Sequence, residues 1–298
     1  MTKVYVPVPS KEYIDLYSEN DINGFFLGIE NFSINFNNFV KLQDLEDYIN
    51  IIKKNNKEVY ISLNKLYYDE DIKKLKDLIL KISKYNIDGI SFCDVGVYNI
   101  VKENNLSINL IWDSFHLGTN YETVNFWNKR GVNSAILSTE ILSDEIIEIK
   151  KNTDAAIGVN LYGYLNMVTS SRSLLTNYFK YTNIKKESDK YLMEVNGEKY
   201  PITEVNGESN IFSSKVLNGI MYLPKLIENN IDFIYLNDYL LNPIKFYNVV
   251  EAFCTLRIAP NDKEYVQKLK KVVEINTPFE TYDGFLNKKT IYKVKNDE

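Results

Sequence analysis

The chain has 298 residues, of which 45% are hydrophobic and 25% charged, and its formal net charge is −5. That length and apolar content fill one large domain or two small ones and exclude disorder over the whole chain. The acidic balance argues against a dedicated nucleic-acid binder and leaves at most a local basic groove open.

The N-terminus, MTKVYVPVPSKEY, has no apolar signal core. No apolar run approaches the ~20 residues of a membrane helix, so a cytoplasmic protein without a membrane segment is expected. Lys3–Val8 reads as the first strand. A local pattern then recurs in NDINGFFLG (20–28), YNIDGISFCD (85–94), RGVNSAILS (130–138) and NNIDFIYLND (229–238). Each has Asn or Gly, then Ile or Val, then Asn or Asp, then a short apolar run. Gly or Asn past a helix accepts the left-handed conformation that ends it, and the apolar run is a buried strand. The pattern is therefore a helix-to-strand corner, and its recurrence implies repeated β/α units.

Seven more strands follow in order: Gly24–Ile29, Glu58–Leu63, Gly89–Cys93, Ile108–Trp112, Ser134–Ser138, Ala155–Leu161 and Asp232–Asn237. The clearest helices between them are Leu42–Asn55, Glu70–Tyr85, Tyr121–Arg130, Ser143–Asn152 and Val216–Asn229. Ile72, Leu75, Leu78, Ile79 and Ile82 recur at helical spacing. Ser143, followed by Asp144 and Glu145, reads as an N-cap. Eight strands alternating with helices fit a (β/α)8 TIM-type barrel, with an open doubly wound sheet as the competitor. No glycine-rich phosphate loop follows the first strand, which favours the barrel.

One insertion, 162–213, interrupts the alternation between the seventh strand and its helix. Its pairs Asn196-Gly197 and Asn206-Gly207 are hairpin signals, so a small β-meander is expected around Met193, Tyr200–Glu204 and Ile211. The barrel with its insertion is expected over 1–258. A lysine-rich helical stretch and tail, 259–298, would pack on it.

Barrel enzymes work at the C-terminal ends of their strands. Those positions hold Glu30, Asn64, Asp94, Asp113, Glu140, Asn160, Tyr162 and Asp238. Five carboxylates on one rim could supply an acid–base pair or oxygen ligands for a metal, or could simply cap helices. With Trp112, Phe115 and Tyr162 nearby they could also make a sugar site. His116 is the only histidine. Asp113, Ser114 and His116 crowd together, but on an extended segment Asp113 faces away from the other two, so no local triad is expected. Cys93 and Cys254 form no Cys-x-x-Cys pair and read as packing residues, in keeping with a reducing compartment.

From Gly163 onward the sequence resembles the collagenase-like peptidase family U32. The family signature there runs Gly, two residues, Cys, then Ser-Gly-Arg-Cys, a leucine and Ser/Asn-Tyr. Gly163, Ser170, Arg172, Leu175, Asn177 and Tyr178 match it. Asn64, Asp94, Gly96, Asn120, Trp127, Leu137, Glu140, Glu145 and Ile146 extend the resemblance upstream. Pro201, Ile202, Glu204, Ser214, Lys215, Gly284 and Phe285 extend it downstream. The departures carry as much meaning. The family's first two signature cysteines fall on Asn166 and Ser173, and its next two have no counterpart. Thr139 stands for the Arg before the sixth-strand Glu, and Asn237-Asp238-Tyr239 replaces Glu-Gly-Arg. In hydroxylating members those four cysteines hold an iron–sulfur cluster, which needs thiolates. The resemblance therefore implies a cluster-free branch with no bound metal.

The family name implies a peptidase of unassigned catalytic type acting on a peptide or small-molecule substrate. An alternative is a substrate-binding partner of a cysteine-bearing relative in RNA-base or quinone hydroxylation. A carboxylate-dependent hydrolase rests on fold analogy alone. Glu140 and Asp94 are the catalytic candidates. Arg172, Asn64, Tyr162, Gly163 and Lys215 are the candidates for binding substrate. Arg172 could clamp an anionic group with its planar fork or bond backbone carbonyls within the insertion.

Overall fold

The computed structural model describes residues 1–205, 207–260 and 263–287. Its strands are β1 (Lys3–Pro7), β2 (Gly24–Ile29), β3 (Phe39–Val40), β4 (Glu58–Leu63), β5 (Gly89–Phe92), β6 (Leu110–Asp113), β7 (Ser134–Ile136), β8 (Ala156–Ser170), β9 (Lys190–Val195), β10 (Glu198–Val205), β11 (Glu208–Asn218), β12 (Phe233–Leu236) and β13 (Thr281–Tyr282). The helices are α1 (Ile14–Glu19), α2 (Leu45–Lys54), α3 (Asp69–Ile82), α4 (Val95–Glu103), α5 (Tyr121–Asn128), α6 (Ser143–Lys151), α7 (Leu174–Thr182), α8 (Leu223–Glu228), α9 (Pro243–Ile258) and α10 (Lys263–Asn276). Eight parallel strands run β1-β2-β4-β5-β6-β7-β8, and β12 pairs with both β8 and β1 to close the ring. The chain is a (β/α)8 barrel. Its main core lies between strands and helices. A smaller one inside the barrel contains Tyr5, Phe26, Phe36, Ile111, Ile136 and Phe233.

The repeated corners have a physical basis. Gly131 and Asn230 adopt positive φ, as expected, and Asn56 and Asn105 do the same at corners the pattern did not single out. At each, the next amide bonds back into the helix, for example Val132 N–H to the Trp127 carbonyl and Ile231 N–H to Leu226. Asn20 and Asn86 are not left-handed, because those helices end differently. The Asn or Asp of the pattern ties the corner to a neighbouring strand. Asn23 Oδ1 accepts Val4 N–H, Asp88 Oδ2 accepts Val59 N–H, and Asp232 Oδ2 accepts Ile157 N–H. Lys53 and Lys150 neutralise Asp88 and Asp232.

The insertion departs further from expectation. β8 does not stop at the barrel rim but continues to Ser170 as one edge of an antiparallel meander, β8-β11-β10-β9. Asn196 and Gly197 both have positive φ and join β9 to β10 in a two-residue hairpin. Gly207 closes the second hairpin, while Asn206 lies outside the described residues. α7, which the pattern missed, packs on this sheet. Glu204 caps it by accepting Thr176 N–H at 3.0 Å. Burial works against the Glu204 charge, but hydrogen bonds from Lys186 and Thr176 outweigh it and pull its pKa down to about 2.

Two element boundaries are corrected. Ser214, Lys215 and Val216 lie in β11 and do not open a helix. The chain must first return along β8, and the helix begins only at Leu223. Ser143 is the first helical residue of α6 and not its cap; Glu145 accepts Leu142 N–H at 2.9 Å instead. α10 packs on α9, and β13 adds to β11 beside it. Residues 288–298 of the expected tail lie outside the described residues. Among the described residues no helix is long and apolar enough to cross a membrane.

Candidate functional site at the barrel mouth

The C-terminal ends of the strands open into a cavity of about 70 Å³. Its wall is built of amides and rings, including Asn35, Asn160, Asn166, Phe115, Tyr164 and Tyr235. Among the described residues no Lys, Arg or His lines it. The volume has room for roughly five water molecules. Phe212 enters from β11, so the insertion forms part of the wall. Lys65, after β4, meets Glu208 of β11 at 3.1 Å and joins barrel rim to meander. Burial raises the Glu208 pKa in spite of Lys65.

Two carboxyls sit at this end. Asp113 lines the cavity, and burial pushes its pKa up to about 7. Asp238, 4% exposed, is pushed up to about 7 by the same cause. Both act on Tyr235, whose hydroxyl is held well above its ordinary range chiefly by burial. Asp238 Oδ1, Asn166 Oδ1 and both polar atoms of the Asn35 amide are buried without a hydrogen-bond partner among the described residues. Buried polar atoms normally have partners; Asn35 and Asn166 leave such capacity in the cavity wall, while Asn20, Thr203, Glu208, Asn218 and Arg257 each leave one unpartnered atom elsewhere among the described residues.

The expected ring of five carboxylates is not a cluster. Glu30 is exposed, Asp94 caps α4, and Glu140 points toward solvent. Among the described residues no group of three His, Cys, Asp or Glu could hold a metal ion. Asp94, expected as catalytic, accepts Gly96 N–H at 2.7 Å and Tyr67 N–H at 3.2 Å. One oxygen is engaged by its own loop and the other by the loop after β4, and Asp94 does not line the cavity.

Asn64 does line the cavity, but both ends of its amide bond the Ile34 backbone, at 2.9 and 3.1 Å. It secures the loop before β3 and has little left to offer a substrate. Tyr162, expected to bind substrate, is turned into the outer core. Its hydroxyl meets Thr277 Oγ1 at 2.8 Å and its ring stacks on Phe246. The cause is a β-bulge. Tyr235 pairs with Asn160 and Leu236 with Tyr162, so Leu161 is extra and the alternation shifts. Asn160 and Tyr164 line the cavity in place of Tyr162, with Gly163, at φ +119, between Tyr162 and Tyr164.

Gly163 has φ +119, and a Cβ there would lie 2.5 Å from the Asn237 carbonyl oxygen. Its role is the close approach of two chain segments. Lys215 pairs with Glu280 at 2.5 Å. It lines a groove next to the cavity with Glu140, Glu198 and Tyr200. The groove shares Thr139, Leu165 and Asn166 with the cavity wall.

Glu140 has an unexpected neighbour there. His116 Nδ1 lies 3.2 Å from Glu140 Oε1, so the single histidine joins the strand-end glutamate and not Asp113 or Ser114. Arg172 is exposed, and its backbone rather than its guanidinium makes the local bonds, to Ser170 and Ser209. Asn166 donates to Thr169 at 2.9 Å and to Asn210 at 3.2 Å. Ser173 Oγ donates to the Gly207 carbonyl at 3.2 Å.

The residues that sequence reasoning missed are Asn35, Asn166 as a wall residue, Tyr164 and Phe212. Asn35 carried one signal, a positive φ in a loop, which Asn tolerates better than most residues. The others depend on the bulge and on the meander folding back.

Comparison with known proteins gives a consistent set of likenesses. The model of peptidase family U32 matches residues 11–295. The tRNA hydroxylation protein P2 of Bacillus subtilis (strain 168) is 26% identical over 285 residues, covering 90% of this chain and 92% of its own. The tRNA hydroxylation protein P1 of the same organism is 21% identical and covers 95% of this chain and 71% of its own. The solved structure of the U32 peptidase Mk0906 superposes with a TM-score of 0.52 at 11% identity, over 80% of this chain and 92% of its own. That last likeness is one of fold.

Proposed function

The chain belongs to peptidase family U32, and from that premise we propose that it serves tRNA hydroxylation as a base-binding subunit beside a cysteine-bearing family member. The observation that carries this reading is the cavity wall. Its aromatic faces and amide edges suit a flat, uncharged ring with donors and acceptors on its rim, which describes a nucleobase. Its small volume suits one ring better than an extended peptide. The two relatives named for tRNA hydroxylation support the substrate class, and P2 matches this chain over nearly its whole length.

The family's iron–sulfur cluster does not fit the residues present. An amide and a hydroxyl stand at the two signature positions, and the amide nitrogen and the hydroxyl are bonded within the protein. Burial pushes the thiols of Cys93 and Cys254 up to about 12, so neither is a thiolate at neutral pH. No redox step is assigned to this chain, and the partner is the cysteine-bearing relative. The peptidase reading has less support. His116 is taken by Glu140, and among the described residues no serine or cysteine side chain hydrogen-bonds it.

In this role Asn160 and Asn166 read the edge of the base while Phe115 and Tyr164 pack its faces. Asp113 lines the cavity and is pushed up to about 7, so near neutral pH it can donate to a ring carbonyl or accept from a ring N–H. Deleting the gene and analysing digested tRNA by mass spectrometry tests the proposal. A hydroxylated nucleoside should disappear, return with the wild-type gene, and fail to return with Phe115→Ala. An unchanged nucleoside profile in the deletion would overturn it. Cleavage of gelatin or peptides that depends on Glu140 would restore the peptidase reading.

A further inference from the structure

The insertion carries a surface that the cavity does not explain. No Asp or Glu occurs between Asp154 and Glu187, in a chain that contains 40 of them. The same segment holds Arg172, Lys180, Lys185 and Lys186. Lys186 is occupied by Glu204 and Asp189. Among the described residues Arg172, Lys180 and Lys185 have no carboxylate partner.

The other two arginines are engaged: Arg257 is buried against Asp21, and Arg130 lies over the Phe126 ring at 3.6 Å. Arg172 is thus the arginine whose fork remains free, in a region of positive charge on an acidic protein. α7 lies between these cations. It buries Leu175 and exposes the stripe Leu174, Tyr178 and Tyr181, which share a helix face by their spacing. Tyr178 is 57% exposed and Tyr181 is 91% exposed. Tyr178 meets the Phe179 ring edge-on at 5.4 Å, yet both tyrosines stay solvated on one short helix flanked by cations.

We propose that this face of α7, with Arg172 before it and Lys185 after it, is a platform for a single-stranded segment of RNA. The proposal rests on the tRNA reading above and places the RNA backbone outside the cavity that holds the base. Tyrosine faces stack on unpaired bases whatever their identity. A guanidinium fork and lysine ammoniums take the phosphates. Residues 155–186 add no carboxylate to this face, and Glu204 and Asp189 beside it are paired with Lys186, which lowers the repulsion that the rest of this protein would impose on a polyanion. The platform is continuous with the cavity. β8 carries Asn166 in the cavity wall and ends at Ser170, about 13 Å further along the strand, just before Arg172. A strand of RNA lying on α7 therefore leads toward the mouth.

Fluorescence anisotropy with the full chain, a labelled tRNA and a blunt RNA duplex of equal length tests this. The wild type should prefer the tRNA. The paired change Tyr178→Ala with Tyr181→Ala should weaken tRNA binding about tenfold or more, while Tyr178→Phe with Tyr181→Phe retains it. Arg172→Ala and Lys180→Ala should each lower affinity and flatten the log–log salt dependence by about one. These side chains are exposed, so circular dichroism should show an unchanged fold. Tight tRNA binding by the wild type that none of these variants alters would overturn the platform and leave the tRNA reading standing. No tRNA binding by the wild type would sink both. Variants that lose a cysteine-bearing family member but keep tRNA would make this face a protein dock and overturn the proposal.

Discussion

At the N-terminal end of the barrel most polar groups close on one another, with Asn20 Nδ2 and Arg257 Nε left unpartnered among the described residues; at the C-terminal end Asn35 and Asn166 are left facing a cavity. Asp88 and Asp232 each hold a backbone N–H and a lysine, and Asn23 holds Val4 N–H and Arg257. At the mouth, the Asn35 amide and one oxygen each of Asn166 and Asp238 are buried without partners. The same fold thus spends similar residue types in two ways. Asn and Asp at a corner fix strand order and register. Asn and Asp at the mouth keep hydrogen-bonding capacity for something that enters. A repeated pattern belongs to the first use and its absence to the second.

Four measurements would break or sharpen this contrast. The largest effect is expected at Asp238, whose pKa rises from 3.8 to about 7 in the folded protein. The unfolded chain loses that proton near pH 4 while the native chain keeps it, so stability falls as pH rises from about 4 to about 7 and then levels. The full shift corresponds to ~4 kcal/mol. Asp238→Asn should flatten that part of a urea-denaturation profile. An equally steep profile in the variant would show that Asp238 is not held neutral.

Next comes Gly163→Ala, which forces a Cβ against the Asn237 carbonyl at a left-handed φ. It should cost about 3 kcal/mol, read from the same denaturation midpoint. A variant as stable as the wild type would mean that the β8–β12 approach is loose.

Asp232→Ala removes the acceptor of Ile157 N–H and the partner of Lys150. A loss of about 2 kcal/mol is expected, with ligand affinity at the mouth unchanged. If affinity fell as well, the two ends would not be independent. The smallest effect is expected at Glu140→Gln. Its contact with His116 is exposed, so stability should stay within about 0.5 kcal/mol in a thermal melt.

Much of this architecture is legible in the sequence because it is local. A corner of Asn, Ile and Asp states its own conformation, its own packing residue and its own hydrogen-bond acceptor within four positions. Asn196-Gly197 likewise names its hairpin. The candidate site was less legible. Glu140 was selected as a strand-end acid, but nothing in its neighbourhood points to His116. Tyr162 was selected as an aromatic residue at a strand end, and one bulged residue at Leu161 turns it into the outer core. Arg172 stood out as a match to the family signature, yet whether its fork is buried or free depends on how α7 sits on the meander.

The sequence by itself determined the eight β/α units, the corners that join them and the place of the insertion, because each follows from periodicity and turn chemistry over a few residues. The tertiary structure alone decided which side chains face the mouth, that Lys65 meets Glu208, and that Phe212 completes the cavity wall. Those contacts exist only once β12 closes the ring onto β8 and the meander folds back over its rim, and no local pattern encodes a closure between distant segments.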